Sequence, residues 1–209
     1  LYTPEEEAAN SVTHFLSGIV ILLITILLYI KNQDVKQIFP LCIMSLSMSW
    51  VFFSSYLYHS TTACIKRERN RFVDRCAIYI AIAGNGISIA LLSSSITLII
   101  VCSMLILILS GILLTNLCLK VDPKKTVFIL PYILLGWIAI LPATGLFENE
   151  YAHFPQIFFL MGGGVAYSLG IIFFTKDLTN KWYHTIWHLF VMLGCSLHYI
   201  GMCISLDLI

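Results

Sequence analysis

Charge is scarce in this sequence. Of its 209 residues only 11% are Asp, Glu, Lys or Arg, whereas 59% are hydrophobic and the mean hydropathy is +0.90. Soluble globular domains carry about 25% charged residues, so a water-soluble fold of this size is excluded. A large net charge is missing too. The balance is +1, with no Lys/Arg block of the size that nucleic-acid binding requires, so neither DNA nor RNA is expected as a partner. No two of the seven cysteines stand in CxxC spacing. Their odd number and their placement in apolar runs argue against a disulfide scaffold or a zinc ribbon and favour buried free thiols. Internal repeats and low-complexity linkers are absent, and nothing indicates a soluble partner.

Apolar runs are what the chain has in plenty. A helix crossing a bilayer needs about 20 mostly apolar residues, and seven stretches qualify: residues 15–30, 38–58, 72–92, 96–119, 127–147, 157–174 and 183–204. Only Ser93, Ser94 and Ser95 divide the third from the fourth. As one helix, residues 72–119 would reach about 70 Å at 1.5 Å per residue, more than two hydrocarbon cores, so two crossings joined by a very short turn are expected. The sequence therefore predicts an all-α polytopic membrane protein, residues 1–209 forming a single seven-transmembrane-helix bundle with no room for a soluble domain.

Glu5, Glu6 and Glu7 stand where a cleavable signal peptide carries basic residues, which argues against such a peptide. Thr3, Pro4 and Glu6 instead read as the N-cap, first position and far end of a Thr-x-x-Glu capping box, with a helix from about Pro4 leading into the first span. Asp122-Pro123 precede the fifth span by the same logic. Lys66, Arg67, Arg69, Arg71, Arg75, Lys120, Lys124, Lys125, Lys176 and Lys181 fall on the side of the N-terminus, and only Lys31 and Lys36 on the other. Ten against two is a positive-inside asymmetry that places the N-terminus in the cytoplasm and, after seven crossings, the C-terminus outside.

Ionisable residues at or within membrane helices are costly and mark functional positions. His14 lies at the cytoplasmic start of span one, Ser55 and His59 on the last turns of span two, Asp74 at the start of span three, and His184 and His188 at the start of span seven. Topology alone brings them to one depth. His184 and His188, four residues apart, share a helix face and suit two nitrogens on one metal, with His59 able to add a third. Three histidines and an open position make the arrangement of a catalytic zinc, which acidifies a bound water. Asp74 is then placed to hold or deprotonate that water or to orient a histidine, and Ser55 to donate a hydrogen bond. A lone His-x3-His pair is more often interfacial or core; the convergence of His59 and Asp74 at matched depth favours the metal. His14 is expected as a hydrogen-bonding neighbour rather than a ligand. His198, about 15 Å deeper than His188 along the helix, is expected to bond between helices, as is Asn85, and His153 to be solvated. Gly162, Gly163 and Gly164 sit inside an apolar span and read as close helix packing rather than a phosphate loop. Pro131 and Pro142 predict a kinked fifth span, and Trp182 and Tyr183 an interfacial belt.

The run from Glu6 through Asn10 to His14, Ser55-x3-His59, Asp74 with Ile78-Tyr79, and His184-Thr185-Ile186-Trp187-His188 on to His198 together resemble the bacterial hemolysin III family. That family is grouped with the adiponectin and progestin receptors and, more distantly, the alkaline ceramidases. The resemblance covers the whole chain. It implies seven spans in a bacterial cytoplasmic (inner) membrane, a Zn2+ ion held by His59, His184 and His188 near the cytoplasmic side, and Asp74 and Ser55 at its water. Two positions depart from the family pattern: Arg75 follows Asp74 where a second histidine is common, and Asn85-Gly86-Ile87-Ser88 replaces a Thr-Tyr-Thr-Pro-like stretch. Both bear on the shape of span three and on substrate access.

Three functions follow from these readings. The histidine–aspartate cluster suits a zinc-dependent intramembrane hydrolase acting on an amide or ester of a membrane lipid, ceramide-like or fatty-acyl by the resemblance, with Asp74 moving the proton. The hemolysin label implies a pore-former, although a pore needs a polar path across the full thickness and the outer halves of the spans offer little beyond His198 and Asn85. A lipid-sensing, receptor-like regulator with structural zinc needs the same ligands as the hydrolase.

Overall fold

The computed structural model describes residues 2–92, 103, 110, 126–141 and 154–209. Six helices are defined among the described residues: α1 (Pro4–Asn32), α2 (Val35–Ser60), α3 (Cys64–Ala90), α4 (Thr126–Ile138), α5 (Phe154–Thr175) and α6 (Tyr183–Ser205). No strand occurs among them. Five, all but α4, are long and apolar enough to cross a bilayer. They correspond to the first, second, third, sixth and seventh expected spans, and α4 covers part of the fifth. An all-helical, multi-pass membrane protein is thereby established. The fourth span and its serine turn lie outside the described residues, as do Asp122-Pro123, Pro142 and His153.

Local chemistry sets the helix ends. The Thr3 side chain accepts from the Glu6 N–H while Glu6 accepts from the Thr3 N–H, the capping box expected from the sequence, with Pro4 in the first turn. At the other end Gln33 adopts a left-handed conformation (φ 55°) and donates its N–H to Tyr29, and Asp34 caps α2 by accepting from Lys36 and Gln37. The two helices are thus joined by a two-residue turn. α3 begins earlier than expected, so Lys66 to Arg71 form its opening turns rather than a loop. Lys, Arg and Glu are good helix formers, and Glu68 pairs with Arg71 one turn on.

The helices are inside out relative to soluble ones. The inward face of α1 carries Asn10, Ser11, His14, Gly18, Ile21 and Thr25, whereas Leu16, Val20, Leu23 and Leu27 are exposed. Lipid solvates leucine as well as a protein core does, so small and polar residues gather where helices meet. α2 occupies the centre against α1, α3 and α6, and α5 lies alongside α6. Leu41, Met44, Met48 and Phe52 of α2 form the core with Tyr199, Met202 and Cys203 of α6. Close approach requires glycine most tightly at two positions. A Cβ at Gly84 of α3 would overlap Ser47 of α2, and one at Gly163 of α5 would overlap the His198 ring of α6. The packing role expected for the glycine run holds at Gly163. None of the five described cysteines forms a disulfide; Cys195 and Cys203 are buried as expected, but Cys64, the first residue of α3, is exposed.

Candidate metal centre

Two helices deliver the histidines. α2 brings His59 on its final turn, and α6 brings His184 and His188 on its first two turns, all three buried. The entry into α6 is unusual: Trp182 precedes it with φ 68°, a left-handed conformation costly for a bulky residue. Glu6 of α1 compensates by accepting the Trp182 N–H at 2.7 Å with the oxygen not used in its own cap. The first turn of α1 and the first turn of α6 are thereby fastened together.

The three rings converge. His184 Nε2 stands 3.2 Å from His59 Nε2 and 3.2 Å from His188 Nε2, and one nitrogen from each lies within 4.8 Å of the others. The far nitrogens explain what this means. His59 Nδ1 lies 2.6 Å from Glu7 Oε2, and His184 Nδ1 lies 2.9 Å from Asp177 Oδ2. A carboxylate only accepts, so each Nδ1 carries the proton and each neutral ring presents an Nε2 lone pair. Two lone pairs facing one another at 3.2 Å repel unless a cation lies between them. Ligands 2.0–2.1 Å from a tetrahedral ion stand about 3.3 Å apart. The donor set, its spacing and its burial therefore fit a divalent metal that accepts imidazole nitrogen.

Around the rings is a second layer that fixes them. Glu7 also receives Arg67, which in turn donates to the Tyr58 and Thr61 carbonyls and lies over the Tyr58 ring. Tyr2 donates to Asp177 at 2.5 Å, and its ring stacks on His184. Burial, then the adjacent Asp177 carboxylate, pushes the Tyr2 phenol well above its usual range, so it remains a donor. Carboxylate–histidine pairs of this kind hold a ring's tautomer and orientation for metal binding.

The sequence-selected residues divide in two. His59, His184 and His188 meet directly. Ser55 and Asp74 lie near one another, and both line the cavity onto which His184 and His188 open. His14 is buried beside the cluster but stacks face to face on His188, ring centroids 3.7 Å apart, with no hydrogen bond within 3.5 Å from either nitrogen. It is a packing wall rather than the expected hydrogen-bonding partner. His198 and Asn85 bond between helices as expected. Glu7, Asp177 and Tyr2 were not singled out as site residues. Glu7 had a signal, since it lies at helical spacing from Asn10 and His14 on one polar stripe; Asp177 is the sole acid between α5 and α6.

Fold and site together define a multi-pass helical membrane protein with a buried three-histidine cluster able to bind a metal. Residues 2–199 match the family described as Haemolysin-III related, and the chain belongs to that family. Hemolysin-3 of Bacillus cereus is 28% identical over 198 residues, 92% of this chain and 88% of its own length. A Hemolysin-3 homolog of Bacillus subtilis (strain 168) is 28% identical over 201 residues, 94% of this chain and 92% of its own length. The Monocyte to macrophage differentiation factor of Homo sapiens is 32% identical over 78 residues, 37% of this chain and 31% of its own length. No solved structure matches the chain.

Proposed function

We propose that the protein is a zinc-dependent hydrolase of a lipid amide or ester, with His59, His184 and His188 as ligands. The observation that carries this reading is the trio of facing Nε2 atoms beside a cavity lined by Ser55 and Asp74. Zinc, when bound by three imidazoles, supplies carbonyl polarisation and an acidified water. The protein's own residues do the rest. Glu7 and Asp177 hold the His59 and His184 rings by their outer nitrogens. Asp74, with Ser55 beside it on the cavity wall, is the acceptor that takes the proton during attack and returns it to the leaving group. The apolar remainder of the cavity wall excludes water and suits a membrane lipid as substrate.

The proposal extends to topology. Seven crossings of a bacterial cytoplasmic membrane, with the N-terminus inside and the C-terminus outside, place the centre near the inner headgroups. Purified protein should hydrolyse a lipid amide or ester in detergent. Asp74→Asn should keep its metal while turnover falls about 100-fold or more. A variant that keeps both metal and turnover defeats the role given to Asp74. Leakage from liposomes that is indifferent to His184→Ala would favour a pore instead.

A further inference from the structure

Helix α3 has 27 residues and so reaches about 40 Å. That exceeds a hydrocarbon core of about 30 Å and matches a bilayer with its headgroup layers. The excess falls at the start of the helix, where charge collects: Lys66, Arg67, Arg69 and Arg71 stand against one acid, Glu68. Two of these four cations are engaged within the protein, Arg67 with Glu7 and Arg71 with Glu68. Lys66 and Arg69 are exposed and enter no ion pair among the described residues.

Helical spacing sorts the segment by face. At about 100° per residue, Phe72, Ile65, Arg69 and Lys66 share an arc of about 120°. Arg67 and Asn70 turn away from it and fasten the helix to the end of α2. Arg67 donates to the Tyr58 and Thr61 carbonyls, and Asn70 to the Leu57 carbonyl and the Thr61 hydroxyl. The outer arc stays uncovered, with Ile65 88% exposed and Phe72 40% exposed. None of its four residues lines the cavity beside the histidines.

Large apolar side chains gain by leaving water, whereas the heads of lysine and arginine stay at the polar boundary. A surface that offers both on one arc fits an amphiphile with an anionic head. We propose that the opening turns of α3 bind a phospholipid of net negative charge from the leaflet at this end of the bundle. Lys66 and Arg69, three residues apart and so neighbours on the helix, hold its phosphate, Arg69 through a planar fork and Lys66 as a point charge. Ile65 and Phe72 pack against its glycerol and the upper part of its chains. A zwitterionic head sets its own ammonium beside the phosphate and loses the advantage. The site faces lipid, and its occupancy does not depend on the hydrolase reading.

The test takes the full chain, purified in neutral detergent and mixed with equal amounts of dioleoylphosphatidylglycerol and dioleoylphosphatidylcholine, and reads retained lipid by native mass spectrometry. At low salt the glycerol lipid should be retained about ten times as often as the choline lipid. Lys66→Gln with Arg69→Gln should bring the ratio close to one. Should that double variant fail to fold, each single variant should lower the ratio about threefold. Lys176→Gln with Lys181→Gln, two exposed cations between α5 and α6, should leave it unchanged. Ile65→Ser should weaken both lipids alike. Glycerol phosphate in tenfold excess, a head without chains, should displace neither. Equal retention by the wild type would overturn the proposal, and so would a preference that survives the loss of Lys66 and Arg69. A preference that falls as far without Lys176 and Lys181, or displacement by glycerol phosphate, would overturn it too. A dimer that dissolves when Lys66 and Arg69 are replaced would make the arc a contact between copies instead.

Discussion

Two buried histidine sites share helix α6, a three-histidine cluster and the lone His198 about 15 Å away, and their hydrogen bonding differs. At His198, Nε2 donates to the Leu160 carbonyl and Nδ1 accepts from the Asn85 amide. Each nitrogen has the partner its protonation requires. At the cytoplasmic end proposed for the bundle, Glu7 and Asp177 use up the outer nitrogens of His59 and His184, and the inner nitrogens face one another. Residue type and burial are the same in both places. What separates glue from ligand is whether both nitrogens of a ring find a partner of the right kind without a further atom. They do at His198, and at His184 they do not.

The comparison breaks most sharply on metal content. Elemental analysis of purified protein should find about one zinc per chain, and His184→Ala or His188→Ala should reduce it to near zero, whereas His198→Ala should leave it unchanged. Equal loss from the His198 variant would erase the distinction. Next in size is the second layer. Asp177→Asn and Glu7→Gln should each weaken zinc affinity about 10–100-fold without unfolding the protein, as read by competition with a chelator. On the other side of the comparison, His198→Ala should lower thermal stability by about 1–3 kcal/mol, because the Leu160 carbonyl and Asn85 amide lose their partner. Smallest is Thr25→Val. Thr25 bonds to the Ile21 carbonyl, Ser45 and Tyr199, yet interhelical bonds in membranes average only about 0.6 kcal/mol, so the melting temperature should barely move.

Hydropathy made most of the fold legible. The five long helices fall where the apolar runs place them, and the capping box at Thr3 and Glu6 fixed the start of α1 to the residue. The start of α3 was misplaced because a hydropathy window stops at charge, whereas a helix of Lys, Arg and Glu does not. At the site, depth and i,i+4 spacing were enough to find His59, His184 and His188. The residues that orient them were harder to see. Asp177 precedes α6, and Tyr2 precedes α1, so neither shares a helix face with the ring it touches, and no periodicity connects them. Expecting a hydrogen bond from His14 ignored that an imidazole can meet another ring by its face.

The bond from Tyr2 to Asp177 spans 175 residues, and that from Glu6 to Trp182 spans 176. A chain emerging from a ribosome and entering the bilayer helix by helix therefore carries half of the clasp from the outset and has nothing to close it on until α6 arrives. Under the proposed metal reading, capture of an ion would wait for that arrival, and the free energy it contributes would stabilise only the finished bundle. A partly inserted chain, lacking α6, has only the His59 member of the three ring nitrogens that meet in the finished bundle.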